Sequence, residues 1–471
     1  MNRDLCYLPA TELLELFRSR EVSPVEVLRA QLERADEGDA LLCSLVERMD
    51  DWALERACES ERRYADGTAL PLDGITVATK EKHAIAGYRV TEGSLAWEGY
   101  SAPEDHPVIE RLRAAGAVFH ARTSTPEFSI ATYTHTKKWG ITRNPWNPDF
   151  SPGGSSGGAG AAVAAGFTTL ATVSDIGGST RGPACFSAAV GYKAPYGRVP
   201  GAGPMTLDYY RGDGVMGRTV ADTLLATNLV VGQHRLDQTS LPTVTISDDR
   251  DVRGMRIAFS PDLGGFAVDP EVVANARATA NALAEAGAIV EEVRFGWNID
   301  DLRVGTAGHF AQMVASLMNS IVGDRTALMN DYARNFLDLA SIAREHMTMF
   351  DAVRAEYNLM QGLADAMDGY DALICPTSAA VGFPAGDTMA DGIEINGTVV
   401  PWTEGLLTMP FNVNNRCPVL AMPSGFAANG MPTGVQVVGH PYDDDTVFAV
   451  GRALEELRGN PFAERRPATG G

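Results

Sequence analysis

The chain has 471 residues, 45% of them hydrophobic, and carries a net charge of −21 at pH 7. That is ample material for a large buried core, while so acidic a balance argues against DNA or RNA as the main partner, which needs a basic face. No run of roughly 18 apolar residues occurs, and the opening MNRDLCYLPATELL lacks the basic, apolar and small-residue order of a signal peptide, so neither a membrane span nor export is expected.

Residues 1–65 read as helical. Ser23-Pro24-Val25-Glu26 supplies an N-cap, a proline at the first helical position and a glutamate at N3, which is a capping box opening a helix over Val25–Ala35. A second helical stretch covers 42–64. From Pro71 the pattern changes, and the short β-branched run Ile75-Thr76-Val77-Ala78-Thr79 reads as a buried strand. Asp105-His106-Pro107 opens a helix through Arg113, closed by Gly116, and Ala117–His120 follows as a strand. Residues 159–165 form a small-residue helix, and Thr168–Ser174 a short strand. Asp269-Pro270-Glu271 opens a helix with apolar positions at 272, 276, 280 and 283; Gly287 ends it and Ala288–Phe295 returns as a strand. Residues 300–370 read as mostly helical and rich in methionine, and Ala468–Gly471 as a frayed end. Alternating strands and helices indicate an α/β fold with a mixed or largely parallel sheet. The six cysteines, at 6, 43, 58, 185, 375 and 417, form no CxxC pair and read as reduced, buried thiols of a cytoplasmic protein.

The informative stretch is Ser151-Pro152-Gly153-Gly154-Ser155-Ser156-Gly157-Gly158, followed after the strand by Asp175-Ile176-Gly177-Gly178-Ser179-Thr180-Arg181. Two glycines before a serine let successive N–H groups turn inward as a nest for a developing oxyanion, with the Ser179 hydroxyl beside the same point. A plain Gly-rich turn with a capping serine fits these residues alone about as well. Gly153–Gly157 also fits the GxSxG elbow, but Pro145 and Pro148 exclude the strand that must precede it. No Gly-Lys-Ser/Thr follows, so a phosphate loop is not supported, and the eight histidines show no HExxH or paired spacing. A serine nucleophile needs a base. Lys80 ends an apolar strand, where burial would lower its pKa; taken alone, a lysine there more often reads as an exposed charge.

Together these segments resemble the amidase signature family. The resemblance runs through SPGGSSGGAGAAVAAG and TVSDIGGSTRGPACFSAAVGYKAPYGRV, from Ser151 to Val199, and upstream through PLDGITVATKEKHAIAG. It continues in Thr91-Glu92-Gly93-Ser94, Thr125-Pro126-Glu127-Phe128, 140–147, 370–377 and 432–439, so it covers nearly the whole chain. It implies a single amidase signature domain over 1–471: an α/β fold whose large mixed, largely parallel twisted sheet is flanked by helices. The catalytic core would span about 66–235 and a helical substrate-pocket region about 300–370, after the helical segment 1–65. It implies Ser179 as nucleophile, Ser155 as bridging serine held by a cis peptide after Gly154, and Lys80 as general base. The N–H groups of Ile176, Gly177, Gly178 and Ser179 would form the oxyanion hole, with Ser156, Asp175 and Arg181 supporting it. Departures are Glu81 where the family usually has Asp, Val215-Met216 where Pro-Met is common, and Asn414-Asn415-Arg416-Cys417-Pro418 for a Thr-Gly-x-Pro stretch. They touch substrate range and leave the triad intact.

The implied function is hydrolysis of a C–N amide bond of a small molecule through an acyl-enzyme. The alternatives are transfer of the acyl group to an amine or hydrazine, and the glutamine amidotransferase component of a tRNA-dependent complex, which would need a partner chain. A non-catalytic scaffold is disfavoured by the intact Lys80, Ser155 and Ser179. By analogy with the family, Phe128, Tyr133, Trp139, Tyr209 and Tyr210 are candidate pocket walls. Lys137 and Lys138 could hold a substrate carboxylate, although an exposed charge pair is the commoner reading. No cofactor or metal is implied, the partner expected is a small-molecule amide rather than nucleic acid or membrane, and a homodimer is compatible with the sequence.

Overall fold

A computed structural model describes residues 3–467; the end expected to fray, Ala468–Gly471, lies outside the described residues. After α1 (Ala10–Ser19) the capping box forms as its residues require: Ser23 Oγ accepts from Glu26 N–H at 3.2 Å, and the Glu26 carboxylate from Ser23 N–H at 2.8 Å. The helix it opens, α2 (Pro24–Leu42), runs further than expected and stops where Cys43 turns left-handed. The helix expected over 42–64 is broken at its start. Ser44 and Leu45 donate their N–H groups to the Asp39 carboxylate at 2.8 and 3.1 Å, and Leu45 opens the four-residue strand β1 (Leu45–Arg48). Helix α3 (Asp50–Asp66) begins only after it.

The remaining strands of the main sheet are β2 (Thr76–Lys80), β3 (Val118–Thr123), β4 (Leu170–Asp175), β5 (Val190–Lys193) and β6 (Gly212–Gly217). They are followed by β7 (Arg256–Phe259), β8 (Ile289–Glu292), β9 (Ala372–Pro376), β10 (Val419–Phe426) and β11 (Pro432–Gly439). Among the described residues these eleven strands form one mixed sheet in the order β1-β3-β2-β4-β6-β5-β10-β11-β9-β7-β8. The sheet is less parallel than expected. Parallel pairing is confined to β3-β2-β4 and to β9-β7-β8, while the strands between them alternate in direction. Between β10 and β11 the cause is local, a short hairpin that permits only antiparallel pairing.

Strand alternation sends successive residues to opposite faces. Val77, Leu170, Val215, Ile257 and Val437 share one apolar cluster with residues of α1, α4 (Pro107–Ala114), α7 (Val220–Val230), α8 (Pro270–Glu285) and α14 (Asp444–Arg458). Their neighbours Ala78, Ala171 and Met216 pack on the other face with α5 (Gly157–Ala165) and α6 (Arg181–Ser187). A Cβ on Gly158 would stand 2.4 Å from the Ser124 backbone N, and one on Gly157 2.3 Å from Thr134 Oγ1, so the start of α5 passes only as glycine. The expected helical region is present as α9 (Ile299–Gln312), α10 (Val314–Val322), α11 (Asp331–His346) and α12 (Met349–Ala366), with α10, α11 and α12 packed on α9. A short helix, α13 (Pro410–Val413), precedes the hairpin. No helix among the described residues is long and apolar enough to cross a membrane. Four cysteines are buried, but Cys43 is half-buried and Cys58 exposed, contrary to the expectation of six buried thiols.

Candidate active site

Lys80 closes β2 and Asp175 closes β4, two neighbouring parallel strands, so both stand at the carboxyl edge of the sheet where α/β folds gather their polar groups. Lys80 is fully buried. Its Nζ lies 2.8 Å from Ser155 Oγ, 2.9 Å from Ser156 Oγ and 3.0 Å from Ser174 Oγ. Burial, reinforced by the charge of Lys82, holds its pKa well below the ordinary lysine value. An ammonium would donate to all three hydroxyls; a neutral amine has two N–H bonds and one lone pair, so one hydroxyl must then donate to nitrogen. A lysine in this setting can take a proton from a serine.

The Gly154–Ser155 peptide is cis. A Cβ on Gly154 would stand 2.5 Å from the Tyr133 carbonyl oxygen, so the stretch of backbone presenting Ser155 can pass only as glycine. The next residue ties the two Gly-rich segments together: Ser156 N–H donates to the Ser179 carbonyl at 3.2 Å. Ser156 therefore does more than flank Ser155, because its hydroxyl is nearly as close to Lys80 Nζ, at 2.9 Å against 2.8 Å.

The Asp175–Arg181 loop is folded around its own carboxylate. Asp175 accepts from Gly178 N–H at 2.8 Å, Thr180 N–H at 3.1 Å, Arg181 Nε at 3.0 Å and Arg181 Nη2 at 2.9 Å. Burial would raise the Asp175 carboxyl, but the Arg181 guanidinium and the Asn412 amide outweigh it and hold the pKa well below the usual carboxylate range. The bond from Gly178 corrects one expectation. Its N–H turns into the loop, while those of Ile176, Gly177 and Ser179 have no acceptor among the described residues. Gly178 itself adopts φ +118°, and a Cβ there would fall 2.0 Å from Thr408 Oγ1. The Thr408 hydroxyl donates to the Gly177 carbonyl at 2.7 Å, locking the peptide orientation.

Around this loop lie groups that sequence reading missed. Arg181 Nη1 donates to the Thr408 carbonyl at 2.8 Å and to Gln436 Oε1 at 2.6 Å, and Nη2 donates to Asn412 Oδ1 at 2.6 Å. A Cβ on Gly177 would meet Met409 Cε at 2.8 Å and Phe310 Cζ at 3.8 Å, so an apolar lip overhangs the loop. No local pattern announces Thr408, Met409 or Asn412, which come from more than 220 positions downstream. Ser174 was detectable: it sits at the end of the strand next to the one that ends in Lys80.

The candidate pocket residues divide. Tyr133 is at the site, with its carbonyl against Gly154 and its ring stacked on His135 at 4.9 Å. Asn412 links Tyr210 to Asp175, its Nδ2 donating to the Tyr210 carbonyl at 3.0 Å and to the Asp175 carboxylate at 2.8 Å. The hydroxyls of Tyr209 and Tyr210 both donate to Glu356, at 2.6 and 2.7 Å, so they are engaged inside the protein. Phe128 stacks on Trp97 at 6.4 Å, and the Trp139 ring stands against Gly93; nothing places either beside Lys80 or Ser179. Lys137 Nζ donates to the Met329 carbonyl at 2.5 Å and Lys138 is exposed, in keeping with a surface charge pair.

This geometry meets known proteins across its whole length. The sequence profile of the family described as Amidase matches residues 26–448. The chain is 31% identical to an acylamidase of Rhodococcus erythropolis over 99% of this chain and 98% of that protein. It is also 31% identical to a component of the glutamyl-tRNA(Gln) amidotransferase of Thermosynechococcus vestitus, over 95% and 97%. Among solved structures it is similar to a bacterial aryl acylamidase of the amidase signature enzymes, with a TM-score of 0.88, 26% identity and 96% coverage of both chains.

Proposed function

The chain belongs to the amidase family, enzymes acting on carbon–nitrogen amide bonds, and from that premise we propose that it hydrolyses a small amide with an apolar acyl group through a Ser179–Ser155–Lys80 triad. The observation that carries the reading is the contact of a fully buried lysine amine with the hydroxyl of Ser155, 2.8 Å away. Neutral Lys80 takes the Ser155 hydroxyl proton as Ser155 takes that of Ser179. Ser179 Oγ bonds to the amide carbon, and the oxyanion is met by the N–H groups of Ile176, Gly177 and Ser179. The proton returns along the same serines to the leaving nitrogen as the C–N bond breaks. Water, deprotonated by the same relay, then cleaves the acyl-enzyme. Substrate class is argued from Ile176, Phe310 and Met409, which line the loop with carbon rather than charge.

A second reading, release of ammonia from glutamine within an amidotransferase complex, is favoured by the similarity to proteins of that name. Glutamine carries a carboxylate and an ammonium that need opposite charges in the pocket, and an apolar lip serves them poorly. The test is reaction with a fluorophosphonate probe, with the adduct located by peptide mass mapping in the parent, Ser179→Ala, Ser155→Ala and Lys80→Ala. An adduct at Ser179, slowed by loss of Ser155 or Lys80, supports the triad; an adduct on another residue overturns it. Supplying amide substrates with hydroxylamine separates water from amines as acyl acceptor.

A further inference from the structure

Behind Lys80, on the sheet face turned towards α4, lies a buried polar cluster that the mechanism above does not use. Thr172 of β4 alternates with Ala171 and Val173, which pack on α5, so it points to this opposite face. Asp213 of β6 is registered against Ser174. His83 follows β2, and its ring bridges the group: Nδ1 is 2.9 Å from Thr172 Oγ1 and Nε2 is 3.0 Å from Asp213 Oδ1. Arg211 Nη2 reaches both oxygens of Asp213, at 3.3 and 3.2 Å, and His106 Nε2 lies 3.6 Å from Oδ2. Thr172 Oγ1 in turn accepts the backbone N–H of Lys80 at 2.9 Å.

That last bond replaces a missing piece of sheet. Backbone pairing between β2 and β4 is formed at Val77↔Leu170 and Ala78↔Ala171 and goes no further. The N–H of Lys80 is held by a side-chain hydroxyl instead of a ladder carbonyl. A hydroxyl can rotate, and if its proton turned towards Lys80 the bond would be lost. The cluster removes that freedom. Asp213 is ionised: burial opposes it, but Arg211 and the two histidines hold its pKa well below the usual range. A carboxylate only accepts, so His83 must carry its proton on Nε2. Burial keeps His83 neutral, its pKa down at about 3. Its Nδ1 is therefore a lone pair, Thr172 must donate to it, and the lone pairs of Thr172 are left to receive the Lys80 N–H.

We infer that Asp213 and His83 are positioning residues for Lys80, fixing the Thr172 hydroxyl so that it anchors the end of β2 and aims the lysine amine at Ser155. The inference rests on the proposed role of Lys80 as base. A metal ion is the competing use of the cluster, since the ligand atoms of His83, His106 and Asp213 lie within 4.8 Å of one another. Two contacts disfavour it. His106 Nδ1 already accepts from Val108 N–H at 3.3 Å, which leaves the proton on Nε2, and the Arg211 cation is already paired with Asp213.

The test compares His83→Asn, His83→Gln and His83→Leu with the parent and with Lys80→Ala, reading the maximal rate and the half-saturating concentration for Ser179 modification by a fluorophosphonate probe. Asparagine can place its oxygen where Nδ1 stands and still accept from Thr172; glutamine reaches Asp213 but abandons Thr172; leucine does neither. The expected maximal rate falls about 10- to 100-fold in His83→Gln and His83→Leu, the range for a small misplacement of a reacting group, with half-saturation little changed. His83→Asn should stay within about threefold of the parent. If His83→Leu does not fold, the Asn–Gln pair decides. Equal rates in the Asn and Gln variants overturn the inference and leave the triad standing, provided Lys80→Ala is slow. Lys80→Ala as fast as the parent overturns the role of Lys80 itself, and the inference with it. Tight binding of added zinc by the parent but not by His83→Asn would overturn it in favour of a metal site.

Discussion

Arg181 grips Asp175 through two hydrogen bonds, at 2.9 and 3.0 Å, with both side chains shut away from solvent. The remaining donors of the guanidinium are taken by Thr408, Asn412 and Gln436, so a single cation ties the Gly-Gly-Ser loop to the last third of the chain.

Removing one partner of a buried, hydrogen-bonded pair leaves the other uncompensated. Arg181→Met should therefore lose about 3–5 kcal/mol of unfolding free energy. Arg181→Lys should fall in between, since an ammonium supplies charge without the fork. Urea unfolding followed by tryptophan fluorescence measures this, and a loss no larger than that of a surface arginine such as Arg253 would contradict it.

The same pair sets an acid limit. The Asp175 pKa is depressed in the folded chain, so its stabilisation is complete above the unfolded value of about 3.9 and is lost as pH falls from there towards the folded value. Asp175→Asn should be less stable than the parent at pH 7, with the gap narrowing as the pH is taken below that value. A gap that stays constant across the acid range would show that the carboxylate charge is not what Arg181 stabilises.

Lys80 has a depressed pKa too, but here the shift works against the folded chain, because it is the charged form that burial disfavours. Its folded pKa lies below the unfolded one, so the unfolded chain binds the extra proton and stability rises with pH between the two. Lys80→Met should be at least as stable as the parent at neutral pH, with the parent gaining on it as pH is raised. Activity should behave differently, falling by about 10²–10⁴ in the variant at pH values where Lys80 is neutral in the parent, as expected for loss of a general base. Parallel melting curves and probe-labelling rates separate the two effects.

The two loop glycines should respond unequally. Ala at Gly178 needs both a left-handed φ and room already filled by Thr408, so Gly178→Ala should abolish activity and lower the melting temperature. At Gly177 the obstacle is only the flexible end of Met409. Gly177→Ala should lose activity, and Met409→Ala in the same chain should restore part of it. A double variant no better than the single one would place the harm elsewhere in the loop.

The apolar lip makes a prediction about acyl groups. Phe310→Ala should shift kcat/KM about tenfold or more towards bulkier acyl anilides relative to acetanilides, the usual scale for a few methylenes in a hydrophobic slot. An unchanged ratio would move the acyl group away from Phe310.

Much of this was legible because it is encoded locally. The capping box at Ser23, the β-branched run ending in Lys80 and the Gly-Gly-Ser loop each state their geometry within a few residues. Strand β1 escaped notice because four residues between two helices carry too little periodicity to register. The parallel share of the sheet was overestimated because the βαβ pattern of β2, β3 and β4 was extended over strands that pair antiparallel, among them a hairpin that needs only a short turn. The Gly178 N–H was miscounted because a nest looks the same in sequence whether its donors face a ligand or the loop's own aspartate. Thr408, Asn412 and Gln436 were out of reach, since nothing within their own neighbourhoods points to an arginine so far upstream.

The arginine hub also has a consequence for how the chain is made. On the ribosome, Arg181 and Asp175 appear long before Thr408, Asn412 and Gln436, and β5 appears long before β10, the strand that flanks it. The N-terminal half should thus wait with an open sheet edge and an unfinished guanidinium, and the Asp175–Arg181 loop should take its final shape only when the last hairpin emerges. Protease resistance of the Ser151–Val199 segment should accordingly arise late in translation and in one step.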